Sequence, residues 1–294
     1  MNADQLINVL VTVTLVELML AIGLGASFRE VLSVATSPRA MLQAAVANYV
    51  CVPAAAVGLL WLIRAQPLVA AGILCAAVCP GAPYGPPLTA VAKGNTTAAV
   101  GLMVMLAASS AVVAPLLLRG LLPIVTDSNS ITVDAGRMVG TLLATQLLPL
   151  FAGLALREWR PVLAARLLTP ANRLSAVLNL AVIVLILAAH FRALAEIRPV
   201  GFAAMLALVL SALAAGWLLG MPGSENRKAM AITTSVRNVG VSLVIVTTSF
   251  PGTSAVTAAL AFALFQTLVM ALLAFGSGRA GRPSIDRGGE RCLV

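Results

Sequence analysis

Apolar residues occupy this chain in blocks of about 21 to 27 positions, separated by short stretches that carry the charges, prolines and glycines. A helix needs roughly 20 apolar residues to cross a bilayer. The blocks therefore predict nine membrane helices, near 6–26, 39–63, 67–92, 95–121, 136–156, 171–191, 199–220, 226–250 and 253–275. The ten-residue alternation of a membrane barrel is absent, so the expected fold class is an all-α polytopic membrane protein. Connections are short, which leaves one transmembrane domain over 1–275. Residues 276–294 have no apolar period and read as a disordered basic cytoplasmic tail.

Two blocks are interrupted. In the third stands Cys79-Pro80-Gly81-Ala82-Pro83-Tyr84-Gly85-Pro86-Pro87, with four prolines and two glycines. Proline lacks an N–H and clashes with the carbonyl four residues back, so no unbroken helix passes through Pro80, Gly81, Pro83, Gly85, Pro86 and Pro87. Open backbone at membrane depth is tolerated only when buried in protein or lining a wet cavity, and broken helices mark transporter binding sites. In the eighth block stand Thr233-Thr234-Ser235-Val236-Arg237-Asn238-Val239-Gly240, polar residues and a charge in mid-span, with Gly240 as a second break residue. An arginine at the bilayer centre costs about 2.5–3.5 kcal/mol on insertion scales. It needs a counter-charge or a wet cavity, and Glu17 in the first helix is the one intramembrane acid available, as counter-charge or as proton carrier.

Charge sets the orientation. Of nineteen basic residues, thirteen fall on one side of the nine-helix topology and five on the other, while Arg237 stays inside. The positive-inside bias places the C-terminus in the cytoplasm and the N-terminus outside, in the cell membrane. The third helix then runs outward to inward and the eighth inward to outward. Two interrupted helices of opposite sense predict inverted repeats, helices 1–4 and 6–9, with the two discontinuous helices crossed.

Composition removes other classes. Only 10% of the residues are charged and 60% are hydrophobic, against roughly 25% charged in a soluble domain. The net charge of +9 lies in short loops, which argues against nucleic acid as a partner. Four cysteines lack metal-ligand spacing and His190 is the single histidine, so neither metal, cofactor nor enzymatic chemistry is expected.

Cys79-Pro80-Gly81, Ala92-Lys93-Gly94-Asn95, Arg237-Asn238-Val239-Gly240 and, in the second helix, Asn48-Tyr49-Val50-Cys51-Val52-Pro53 together resemble the bile acid:sodium symporter family. The resemblance implies a core holding two crossed broken helices and a panel that moves against it; members lacking the first of ten helices have nine. It also exposes departures. Where sodium-coupled members carry Ser-Asn in the third-helix break, this chain has Gly85 and Pro86. Their hydroxyl ligands fall on Ala99 and Met103, their eighth-helix glutamate and amide on Thr233 and Arg237, and a second-helix glutamine on Asn48. Hard cations need oxygen ligands, usually with a carboxylate among them. Thr233 with Arg237 carries the same net charge as one carboxylate with two sodium ions, so Arg237 can stand in for bound sodium.

The function expected is a secondary active or facilitative transporter of a small organic anion, independent of sodium. Its substrate residues would be Arg237, Asn238, Thr233, Thr234, Ser235, Tyr84 and Asn48, with the Arg237 fork gripping a carboxylate. Bile acids, keto acids and pantoate-like acids all fit. Two alternatives stand beside it: a metalloid exporter of a related carrier fold using Cys79, and a non-transporting membrane sensor, against which the short tail argues.

Overall fold

The computed structural model describes residues 3–126, 133–195 and 197–280, and these contain helices and no strand. Span 1 is α1 (Ala3–Gly25). A short helix α2 (Phe28–Ala35), which the hydropathy pattern did not predict, follows it; Ser27 and Glu30 close a capping box at its start. This reciprocal pair satisfies two orphan donors of the first turn. Span 2 is α3 (Pro38–Val46), a π-turn over Ala47–Cys51, and α4 (Val52–Leu62). Span 3 is split into α5 (Pro67–Ala77) and α6 (Gly85–Val91). Span 4 is α7 (Thr96–Thr126). Span 5 is α8 (Ala135–Leu142), a second π-turn over Leu143–Leu147, and α9 (Leu148–Trp159). Spans 6 and 7 are α10 (Pro161–Ala195) and α11 (Pro199–Leu218). Span 8 is split into α12 (Ser224–Ser235) and α13 (Val239–Ser249), and span 9 is α14 (Ser254–Ala280).

Among the described residues, eight of these spans are long and apolar enough to cross a membrane, and the broken span 3 is the ninth. Boundaries differ from the hydropathy reading at spans 6 and 9. The sixth span starts at Pro161 rather than near 171, carrying Pro170 inside it; Pro161 suits a first helical turn, whose N–H groups lack partners anyway. Span 9 continues to Ala280, past the expected start of the tail at 276. Ser277 donates to the Ala274 carbonyl at 3.0 Å, bonding back onto its own helix there. The rest of the expected tail, 281–294, lies outside the described residues. Gly85, Pro86 and Pro87 lie in the first turn of α6, and Gly240 lies inside α13, so none of the four is in a break.

Packing divides the spans into two groups. α1 lies against α9 and α10, and α9 against α10, so spans 1, 5 and 6 form a panel. Spans 2–4 and 7–9 form the core, in which α5 packs on α7, α13 and α14 while α6 packs on α7 and α12. α5 thus neighbours α13 and α6 neighbours α12, the arrangement expected of two crossed broken helices. Close contact inside the panel depends on missing side chains. A Cβ on Gly23 would collide with the Leu150 carbonyl, and one on Gly153 with the Leu20 carbonyl. Small residues let backbones approach where lipid supplies no hydrophobic drive. Gly153→Leu should separate α1 from α9 and lower the thermal unfolding midpoint in detergent by several degrees, consistent with about 1–3 kcal/mol for overpacking. Gly140→Leu, at a position with open space around it, should leave the midpoint within a degree.

Candidate functional site at the helix crossing

α5 ends because Pro80 offers no N–H to the carbonyl of Ala76, four residues back. The turn that follows needs glycine. Gly81 has φ +84°, the left-handed region, and a Cβ there would also strike the backbone of Ala107 in α7. In span 8 the chain leaves the helix at Val236, which is extended, and re-enters it after Asn238.

The two breaks satisfy each other's backbone. The Asn238 N–H, which a continuous helix would give to the Thr234 carbonyl, donates instead to the Cys79 carbonyl at 2.7 Å. The Asn238 carboxamide donates to the Gly81 carbonyl at 3.1 Å and accepts from the Val241 N–H at 3.2 Å, capping α13. Carbonyls freed by the breaks are then collected by Arg237. Its Nη1 donates to the Thr234 carbonyl at 3.0 Å and to Asn48 Oδ1 at 2.7 Å, and its Nη2 to the Ala77 carbonyl. Nε makes a long contact, 3.5 Å, with the Ala76 carbonyl. The Arg237 backbone is held in turn by Gln266 of α14, which accepts from its N–H and donates to its carbonyl. Arg237 is 1% exposed. Its charge is balanced by the negative C-terminal ends of α5 and α12, where unpaired carbonyls concentrate partial negative charge.

The residues named from the sequence divide accordingly. Arg237, Asn238, Thr234 and Asn48 meet in one network, with Asn48 also donating to Thr234 Oγ1 at 3.2 Å. Thr233 and Ser235 are buried but bond back to their own helix, on the carbonyls of Ala229 and Ala231. Tyr84 is 41% exposed at the start of α6, away from this network. Glu17 is not the counter-charge of Arg237: it accepts from Ser175 of α10 within the panel, and among the described residues Arg237 has no carboxylate partner. The reason is geometric, since the carbonyls opened by the breaks lie within hydrogen-bond reach of the guanidinium. Nor is the fork open to a carboxylate, because its hydrogen bonds go to the protein. Gln266 was missed from the sequence; a lone glutamine in an apolar run was its only signal.

Asn95 ties the start of span 4 to that of span 8, through its N–H to the Glu225 carbonyl at 3.1 Å and its carboxamide to Asn226 Oδ1 at 2.9 Å. Lys228 Nζ caps α6 on the Ala92 carbonyl at 2.9 Å. The motifs that carry the sequence resemblance are therefore the residues that hold the crossing together. Residues 12–197 match the sodium bile acid symporter family. The chain belongs to that family. It is 23% identical to an uncharacterized sodium-dependent transporter of Bacillus subtilis, YocS, over 90% of this chain and 81% of the relative. It is also 24% identical to the uncharacterized protein YbaS of the same organism, over 86% of this chain and 83% of the relative. This symporter-family member is an integral membrane transporter with two interrupted helices in its core.

Asn238 discriminates a built crossing from a simple helix cap. Asn238→Asp keeps the cap on Val241 but replaces the donor to Gly81 with an acceptor. Two acceptors then face each other in the buried site, and a buried unsatisfied group costs about 1–3 kcal/mol. The thermal midpoint of Asn238→Asp should fall clearly below that of the wild type. An unchanged midpoint would show that the cap alone matters.

Proposed function

We propose that this protein carries a small organic anion across the cell membrane without sodium, using Arg237 as a resident cation at the crossing. The observation that carries the reading is the buried Arg237 guanidinium, bonded to freed carbonyls of both broken helices and to Asn48, with no carboxylate beside it among the described residues. Oxygen cages of this kind suit a hard cation, and here a side chain occupies the cage. Where sodium-coupled members place further ligands, Ala99 is fully buried, Met103 nearly so, and the Thr233 hydroxyl is turned onto its own helix. The relative named as sodium-dependent does not transfer that property to a chain with these residues.

The guanidinium neutralises the two C-terminal helix ends and leaves the positive start of α13 uncompensated. That end faces the panel: a Cβ on Gly240 would come within 3.2 Å of Leu15 of α1. The anion is held there by the positive α13 end, which Arg237 leaves uncancelled by neutralising the opposing helix ends, rather than by the bidentate grip expected from sequence. The N-terminus faces outside and the C-terminus the cytoplasm, as the loop charges indicate.

Two outcomes test the reading. Proteoliposomes should take up labelled small carboxylates, screened as bile acids, keto acids and pantoate-like acids, at the same rate under sodium and potassium gradients. Uptake that follows the sodium gradient would refute the claim. Separately, Arg237→Ala should orphan the Thr234 and Ala77 carbonyls and Asn48 Oδ1, each a cost of about 1–3 kcal/mol when unsatisfied, and lower the thermal midpoint. Sodium chloride should stabilise Arg237→Ala more than potassium chloride does, while the wild type shows no such preference. A sodium-specific stabilisation of the wild type would mean that the cage is not filled by Arg237.

A further inference from the structure

Panel and core meet along a seam, with α1 on α13 and α10 on α14. Side-chain hydrogen bonds from Thr247 and from Gln146 bridge it. Thr247 Oγ1 donates to Asn8 Oδ1 at 3.2 Å, near one face of the protein. Deeper, Gln146 in the π-turn of span 5 donates to the Ala107 carbonyl and, at 3.1 Å, to Ser110 Oγ of α7. Gln146 is fully buried, and its Oε1 has no hydrogen-bond partner. A π-turn inside a helix is a common mark of a functional position, and a buried acceptor without a donor calls for explanation.

Its surroundings supply one. A cleft of about 240 Å³ separates Arg137, Thr141 and Leu142 of α8 from Val244, Thr248 and Ser249 of α13, panel on one side and core on the other. Leu142, which lines the cleft, precedes Gln146 by four residues on the same span. Ala107, which accepts from Gln146, packs against Gly81 in the first break. Gln146 therefore links the span that walls the cleft to the segment of α7 packed on the crossing.

We propose that Gln146 is the gate of this cleft: its hydrogen bonds to Ala107 and Ser110 hold panel to core, and their opening joins the cleft to the helix crossing. The orphaned Oε1 makes the closed contact costly and the open one favourable, because water or a solute hydroxyl entering from the cleft supplies the missing donor. Alternating access by one bundle rocking against another needs a contact of this kind, firm in one state and released in the other. The gate rests on the carrier reading only in requiring that panel and core move, and its test uses no substrate.

Met103 lies one turn beyond Ala107 on α7 and is nearly buried, so a cysteine there reports whether the gate has opened. In detergent, labelling of Met103→Cys by a charged methanethiosulfonate is compared in three backgrounds, with the protein lacking that substitution as baseline. Gln146→Met keeps the side-chain volume but loses both bonds to α7, so labelling should speed up by about tenfold, the scale of one lost hydrogen bond. Gln146→Ala, which loses the same bonds and opens space as well, should label at least as fast. Equal rates in the wild type and Gln146→Met overturn the proposal, as does a failure of Gln146→Ala to label at all. If either glutamine variant does not fold, Ser110→Ala removes one of the two bonds and should label severalfold faster; an unchanged rate there overturns it equally.

Discussion

A backbone that leaves its helix inside a bilayer has no water to bond, so its amides and carbonyls must be satisfied within the protein. In this chain the two broken helices satisfy each other. Asn238 gives its N–H across to Cys79 and its carboxamide to Gly81, and the Thr234 carbonyl thereby released passes to Arg237. Neither break is sustainable alone, because each exposes groups that only the other supplies. The close approach of α7 at Gly81 and the paired bonds of Gln266 to the Arg237 backbone then hold the crossing from its two flanking helices, one in each repeat.

A buried guanidinium would ordinarily be a heavy cost, and isolated buried charges in proteins are paired or shift their protonation. Arg237 escapes that cost without an acid, because two helix C-termini aim their carbonyls at it. This solution has a functional corollary in the proposed reading. A dissociable ion can couple a carrier to a gradient because it arrives and leaves with each cycle, whereas a tethered guanidinium does neither. The charge at the crossing is kept and the coupling is lost.

The panel and the core differ in how firmly they are built. Inside the panel, backbones touch through Gly23 and Gly153, contacts that allow little adjustment. Across the seam α1 lies on α13 and α10 on α14, and the hydrogen bonds from Thr247 to Asn8 and from Gln146 to α7 bridge it. A seam whose polar contact leaves an acceptor unsatisfied slides more readily than an interlocked glycine interface. The fold thus concentrates its freedom of motion next to the crossing.

Hydropathy alone determined the number of spans, the class of fold and the position of the first break, since span length and proline chemistry are local properties. The second break was legible through Arg237, because a charge in an apolar run demands an explanation wherever it points. The partner of that charge was not legible. Glu17 was the obvious candidate by charge, yet the carbonyls of Ala76, Ala77 and Thr234 hold Arg237, and every residue has a carbonyl. Which carbonyls are free depends on how two segments more than 150 residues apart cross. Likewise Pro86, Pro87 and Gly240 carry breaker chemistry, but only the packed structure shows them starting or continuing helices, because proline is harmless in a first turn. Gln146 and Gln266 carried no sequence signal beyond polarity. Their roles come from what the folded chain sets against them, an orphaned acceptor at the seam and a backbone with no helix to join.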